Sequence, residues 1–306
     1  MSSPSRRACT LTLGCLIAPL LVVLGPAWGS AAPGERDETA GSRHAPPAAS
    51  APELPEGTAV WEKMRAAMGG SEAIAALESL HAEVTLTIGS RELELETWAT
   101  GIDMVLVRQP VPQLGADIIM GRNGPTSWIE APIAGAREVR SGEIEQFTQI
   151  GSMHLMLLRL GQTYAGIATT EQTIYAGRSC LVLTCTDPVE GAPNGTPTQL
   201  TVLVDARTHL PAGVRRPAGN DAGSRATEFT FDLWDKEGDL VLFREMEVRT
   251  PRSGRAAGSV QMVTYERLRL NAADAYRFDV PPGLKTLSPP TGPPADPAPE
   301  SESRSE

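Results

Sequence analysis

Strict alternation is the feature that most limits what this chain can fold into. Val84, Leu86 and Ile88 alternate with Glu83, Thr85 and Thr87, and Leu93 and Leu95 alternate with Glu92, Glu94 and Glu96. Further along, Phe229, Phe231 and Leu233 alternate with Glu228, Thr230 and Asp232. Successive side chains of a strand point to opposite faces, so each run makes a strand with one apolar and one wet face. GSR, RNGP, DART and DKEG supply the turns between such runs. Together they predict an α+β, mostly β fold. Its core is a curved antiparallel sheet of about 11 strands joined in chain order, an incomplete β-barrel with helices on the concave side. A one-sided sheet of that width must curl, close or be covered.

Two segments carry helical spacing instead. In TAVWEKMRAAM, Val60, Trp61, Met64, Ala67 and Met68 share one face, with Thr58 as the expected N-cap. SGEIEQFTQIGSMHLMLLRLGQ places Ile144, Phe147, Ile150, Leu155 and Leu158 at the same spacing, which predicts one or two short helices in mid-chain. Met153 and Met156 accompany them, either as core or as an adaptable binding surface. Gly69 and Gly70 lie between the first helix and a second short one, with Ser71 as its expected cap. A phosphate loop needs a strand before its glycines and usually a lysine after them. Neither is present, so this pair joins helix to helix.

Both ends differ from the body. Residues 1–31 read as a signal peptide: Arg6 and Arg7, then the apolar run LGCLIAPLLVVLG, then small residues with cleavage near Gly29 or Ala31. Cys15 lacks a small residue two positions before it, so a secreted or periplasmic protein is expected over a lipoprotein. Residues 32–56 are rich in Pro, Ala, Ser and charge and read as a disordered linker; residues 288–306 read as a disordered Pro-rich, acidic tail. The folded domain is then expected over 57–287. The net charge of −10 over 306 residues becomes two units more acidic once Arg6 and Arg7 are removed. Nucleic acid and anionic membrane surfaces are excluded as partners on that ground.

Chemistry-bearing residues are sparse. Of the four cysteines, Cys180 and Cys185 lie outside the signal segment. Their odd spacing puts them on opposite faces of one strand, about 16 Å apart, so they cannot bridge within it. Two buried thiols are expected. His81, His154 and His209 show no metal or nucleophile motif. No catalytic residue, metal site or cofactor is therefore assigned. Asn194-Gly195-Thr196 is a glycosylation sequon that reads better as a turn in a bacterial exported chain.

A curved sheet only partly filled by helices leaves an apolar hollow, and such hollows bind apolar ligands. Candidate lining residues are Val84, Leu86, Leu93, Leu95, Met104, Met120, Phe229 and Phe231; for each, an ordinary core position is the alternative.

The order of MGGSEAIAALESL, YAGRSCLVLTCTD, LTVLVDARTHLPAGV, FTFDLWDKEGDLVLFREMEV and RLRLNAADAYRFDVPP resembles the LolA/LolB-like, lipoprotein-sorting superfamily, in its uncharacterised periplasmic branches. The elements Y-x-G-R-x-C, V-D-A-x-T-x-L-P and N…F-x-V-P carry the resemblance. It implies a half-barrel closed by helices and a periplasmic carrier or sensor of a lipid or of lipoprotein acyl chains, acting as a monomer. An interaction module of a cell-envelope complex is the alternative, and an exported hydrolase the third reading.

Overall fold

The computed structural model describes residues 54–193, 196–218, 226–250, 259–272 and 278–284. The signal segment 1–31, linker residues 32–53, the sequon's Asn194 and Gly195, and the tail 288–306 lie outside the described residues. Helices α1 (Gly57–Ala67) and α2 (Gly70–Ala75) precede six strands: β1 (Leu80–Ile88), β2 (Arg91–Ala99), β3 (Met104–Val111), β4 (Ala116–Asn123), β5 (Thr126–Ala131) and β6 (Gly135–Glu138). Helices α3 (Ser141–Leu158) and α4 (Leu160–Thr163) follow. The chain continues through β7 (Tyr164–Tyr175), β8 (Arg178–Pro188), β9 (Gln199–Asp205), β10 (Pro211–Arg216), β11 (Thr227–Glu237), β12 (Leu240–Thr250) and β13 (Ser259–Leu270).

All thirteen strands form one sheet in the order β6-β5-β4-β3-β2-β1-β13-β12-β11-β10-β9-β8-β7, and every pairing is antiparallel. The first and last strands meet at its centre, and its edges are β6 and β7. Those edges are consecutive in the chain, so the segment that joins them must travel back across the sheet. That segment is α3 with α4. The helix therefore covers one face because of the topology, and it packs chiefly on β2, β3 and β4.

The count exceeds the expected eleven. β6 is a four-residue edge strand, GARE, too short to show alternation. The mid-chain helical signal resolves into one continuous helix of 18 residues followed by a single turn. Glu143 starts α3 by accepting a hydrogen bond from the backbone N–H of Arg140. Two expected caps are corrected. α1 begins at Gly57 with Glu56 in the cap position, and α2 begins at Gly70 with Gly69 in that position, so neither Thr58 nor Ser71 caps a helix. Leu233 is also corrected. Its φ of +51° interrupts the alternation of β11, leaving it 57% exposed, while Trp234 takes the inward place against Phe231 and Phe243.

The apolar stripes meet between the sheet and the helices. Val84, Leu86, Leu95, Val105, Val107, Met120, Phe229, Phe231, Val263 and Tyr265 join Ile144, Ile150, Leu155 and Leu158 of α3 in one core. The helix comes very close at Gly151, where an added Cβ would lie 2.7 Å from Val105 Cγ1 and 3.4 Å from Thr97 Cβ. Buried polar contacts fix its height: the Tyr265 hydroxyl donates to the Ile150 carbonyl at 2.7 Å, and His154 Nε2 donates to the Phe243 carbonyl at 3.0 Å.

The sheet's other face carries two smaller clusters. One holds Tyr175, Cys180, Val182, Leu203 and Ala212. The other holds Trp98, Leu106, Trp128 and Phe278, with Met104, Ile119 and Leu284 against it. The C-terminal segment lies on this second cluster, where Asn123 Nδ2 donates to the Phe278 carbonyl.

The three motif elements work as clamps. Asp205 Oδ1 accepts the N–H groups of Arg207 and Thr208, which closes the turn between β9 and β10. Asn271 accepts from the N–H groups of Glu78 and Ser79 and donates to the Ala76 carbonyl, tying the end of β13 to the start of β1. The Tyr175 hydroxyl meets Thr230 Oγ1 at 2.7 Å, and Arg178 donates to the Phe231 carbonyl.

The double glycine divides its work between its two members. Gly69 has φ +126°, and a Cβ there would sit 2.5 Å from the Asp239 carbonyl oxygen. Gly70 has φ +84° with open space around it. Gly69→Val is expected to cost about 2–4 kcal/mol, from strain plus overlap, and Gly70→Val only about 1–2 kcal/mol. Denaturant unfolding of both variants checks this; equal losses would contradict the close approach.

Candidate functional site

The space left beside α3 forms a cleft on the inner face. Its helix wall is Thr148, Gln149, Ser152, Met153 and Met156. The opposite wall is Leu200 of β9, Val214 and Arg216 of β10, and Phe229 of β11; Ile102, Arg122 and Pro197 complete it. Its empty space, open mouth included, is about 440 Å3, but the centre of a water-sized sphere fits in only about 40 Å3. The space beside α3 is thus a narrow cleft with room for a few waters.

The cleft is mostly apolar, and its polar groups differ in availability. The Thr148 hydroxyl donates back to the Ile144 and Glu145 carbonyls, and the Ser152 hydroxyl to the Thr148 carbonyl. These hydroxyls are spent within the helix. The ionisable lining residues are both arginines, Arg122 and Arg216. Arg216 Nη1 lies 2.5 Å from Glu145 Oε1, with both side chains mostly buried. Its neighbour Arg215 is on the other face, paired with Glu228 and set over the Tyr175 ring.

Among the eight expected lining residues, Phe229 lines this cleft. Val84, Leu86, Leu95, Met120 and Phe231 are buried in the main core, and Leu93 is half-buried against it. Met104 packs on the opposite face with the Trp98 and Trp128 cluster. The cleft's helix wall and its arginines were absent from that set. The methionines beside the mid-chain helix were the sequence signal for the helix wall; nothing local distinguished Arg122 or Arg216.

The described histidines occupy separate elements. His81 of β1 stacks on Trp98, and its Nε2 is 2.8 Å from Glu96, which also pairs with Arg108. His154 of α3 is fully buried, stacked on Phe243 with ring centroids 3.8 Å apart, and its Nδ1 has no hydrogen-bond partner among the described residues. Desolvation lowers its pKa from 6.5 to about 4. His209 sits in the β9–β10 turn with φ +61°. The ring hydrogen bonds of His81 and His154 thus go to a carboxylate and a backbone carbonyl, not to a Ser or Cys. Among the described residues no three His, Cys, Asp or Glu groups come together as a metal site, and no helix is long and apolar enough to cross a membrane.

Cys180 and Cys185 are free and buried on opposite faces of the sheet. Burial pushes the Cys185 thiol up to about 12 and also raises that of Cys180. In the chain lacking residues 1–31, a disulfide-exchange reagent is expected to leave both thiols unmodified in the folded state and to titrate both after denaturation. Fast labelling of the native protein would contradict this burial.

No family model matches the chain, and no curated protein matches it in sequence. Its structure is similar to that of a LolA superfamily protein from Nitrosomonas europaea, at 12% identity and a TM-score of 0.49, over 74% of this chain and 96% of that one. A DUF1329 family protein from Desulfovibrio piger gives 15% identity and a TM-score of 0.48, over 71% of this chain and 93% of that one. The chain itself is an open antiparallel sheet with helices on one face, the architecture expected from its alternating strands.

Proposed function

We propose that this protein binds a hydrophobic ligand, such as a lipid or the acyl chain of an acylated protein, in the cleft between α3 and strands β9–β11. It acts as an exported, non-catalytic carrier or sensor. The observation that carries this reading is the cleft's lining: Met153, Met156, Leu200, Val214 and Phe229 present an apolar surface between the helix and the sheet. Methionine side chains are unbranched and repack readily, so a helix wall carrying two of them adapts to a chain entering between helix and sheet. A narrow cleft with an open mouth and an adaptable wall suits an extended ligand that displaces side chains as it enters.

The test is extraction of the purified protein followed by mass spectrometry, together with displacement of an apolar fluorescent dye. A co-purifying lipid or saturable dye displacement by a long-chain compound is expected. Absence of both would count against ligand binding and favour the envelope interaction module.

A further inference from the structure

We propose that the cleft is selective for an anionic amphiphile, an acyl chain ending in a carboxylate or phosphate, and that Arg216 receives that head group in exchange for Glu145. This inference rests on the ligand-binding reading above and names the ligand's polar end.

Three observations carry it. First, the charge of the lining runs against that of the chain: the protein has a net charge of −10, yet both ionisable residues of the cleft are arginines. Taking a guanidinium out of water costs several kcal/mol unless an anion meets it, and on Arg216 that anion is Glu145, so this wall is already built to hold a carboxylate. Secondly, the guanidinium fork matches carboxylate and phosphate geometry. A carboxylate is already held there: Arg216 Nη1 lies 2.5 Å from Glu145 Oε1, with the two side chains only 15% and 17% exposed. Glu145 therefore stands where a ligand's carboxylate would stand. Thirdly, Glu145 belongs to α3 and Arg216 to β10, so this ion pair fastens the helix across the cleft. A second fastening, Gln146 to Gln261 of β13, lies one residue along. A head group that takes Arg216 from Glu145 loosens the helix while the chain occupies the apolar wall. Head-group recognition and opening of the cleft are then one exchange of partners.

The experiment compares hexadecanoate, hexadecanol and inorganic phosphate as competitors of a bound apolar dye. The proteins are the wild type, Glu145→Gln, and the double variant Glu145→Gln with Arg216→Gln. The double variant removes both charges together, so no unpaired buried charge remains, and thermal melting verifies its fold. In the wild type, hexadecanoate is expected to bind about threefold more tightly than hexadecanol, less than a newly formed charge-assisted pair would give because the Glu145 pair is surrendered. Glu145→Gln is expected to tighten hexadecanoate binding several-fold, on the order of 1 kcal/mol or less, and to leave hexadecanol within about twofold. The double variant should bind both chains alike. Equal affinity for the two chains in the wild type would overturn the inference while leaving the ligand-binding reading intact. Phosphate competing as well as hexadecanoate would overturn it in favour of a free-anion site. No binding of either chain would overturn both. A purely structural role for the ion pair would shift hexadecanoate and hexadecanol together in Glu145→Gln, which also counts against the exchange.

Discussion

Phe243→Ala is expected to lower the unfolding free energy by about 3–5 kcal/mol, the range for removing a large aromatic from a packed core. Phe243 is fully buried and is the hub of an aromatic cluster. It stacks on His154 at 3.8 Å and on Phe231 at 4.4 Å, and meets Tyr265 and Trp234 edge-on at 5.4 and 5.6 Å. The cluster joins α3 to β11, β12 and β13, so its loss loosens the helix as well as opening a cavity. Leu233→Ala is the control. Leu233 is apolar and on the same hairpin but exposed, and its truncation should change stability by no more than about 0.5 kcal/mol. Guanidinium unfolding of both variants decides the matter; similar losses at the two positions would contradict the assignment of β11's inner face.

The second large effect is on acid stability. His154 is held neutral in the fold, with its pKa lowered from 6.5 to about 4, because burial penalises the imidazolium; Arg244 adds to this, and the hydrogen bond to the Phe243 carbonyl opposes it. Between those two pH values the unfolded chain binds a proton that the folded chain does not. Stability therefore falls as pH falls through this window. The contribution is fully present above about pH 6.5 and fully lost below about pH 4. The two pKa values correspond to a loss of about 3 kcal/mol. His154→Gln removes the titration, so its stability should change less with pH than the wild type's by about that amount between pH 7 and pH 4. Parallel pH profiles for the two proteins would show that the imidazole is not desolvated.

The sheet was legible in the chain because one-sided strands announce themselves at period two. What escaped was short or interrupted. β6 offers four residues at an edge, and Leu233 breaks alternation through a backbone angle that composition does not reveal. Gly151 weakens the helical signal in mid-helix, although it is there so that α3 can lie against Val105. Capping residues were misplaced because Gly69 and Glu56 take the cap positions without a side-chain bond. The site was legible only at its apolar edge. Of the cleft's lining, Phe229 was among the residues expected, because it sits on an alternating strand. Arg216, Val214, Leu200 and Met153 come together only because α3 returns across the sheet from β6 to β7, and local periodicity carries no trace of that route. The two free cysteines were the opposite case: their parity alone placed them on opposite faces, and the structure bears this out.

The central claim is that the cleft beside α3 is where a hydrophobic ligand is held. Met156 is half-buried in its wall, so Met156→Trp fills the cleft with little disturbance to the core. Titration of an apolar fluorescent dye into the wild type and this variant, at matched thermal stability, tests the claim most directly. Saturable binding at one site is expected in the wild type, with affinity at least about tenfold weaker in Met156→Trp, a loss of about 1.4 kcal/mol or more. Undiminished binding in the variant, or no saturable binding in the wild type, would contradict it.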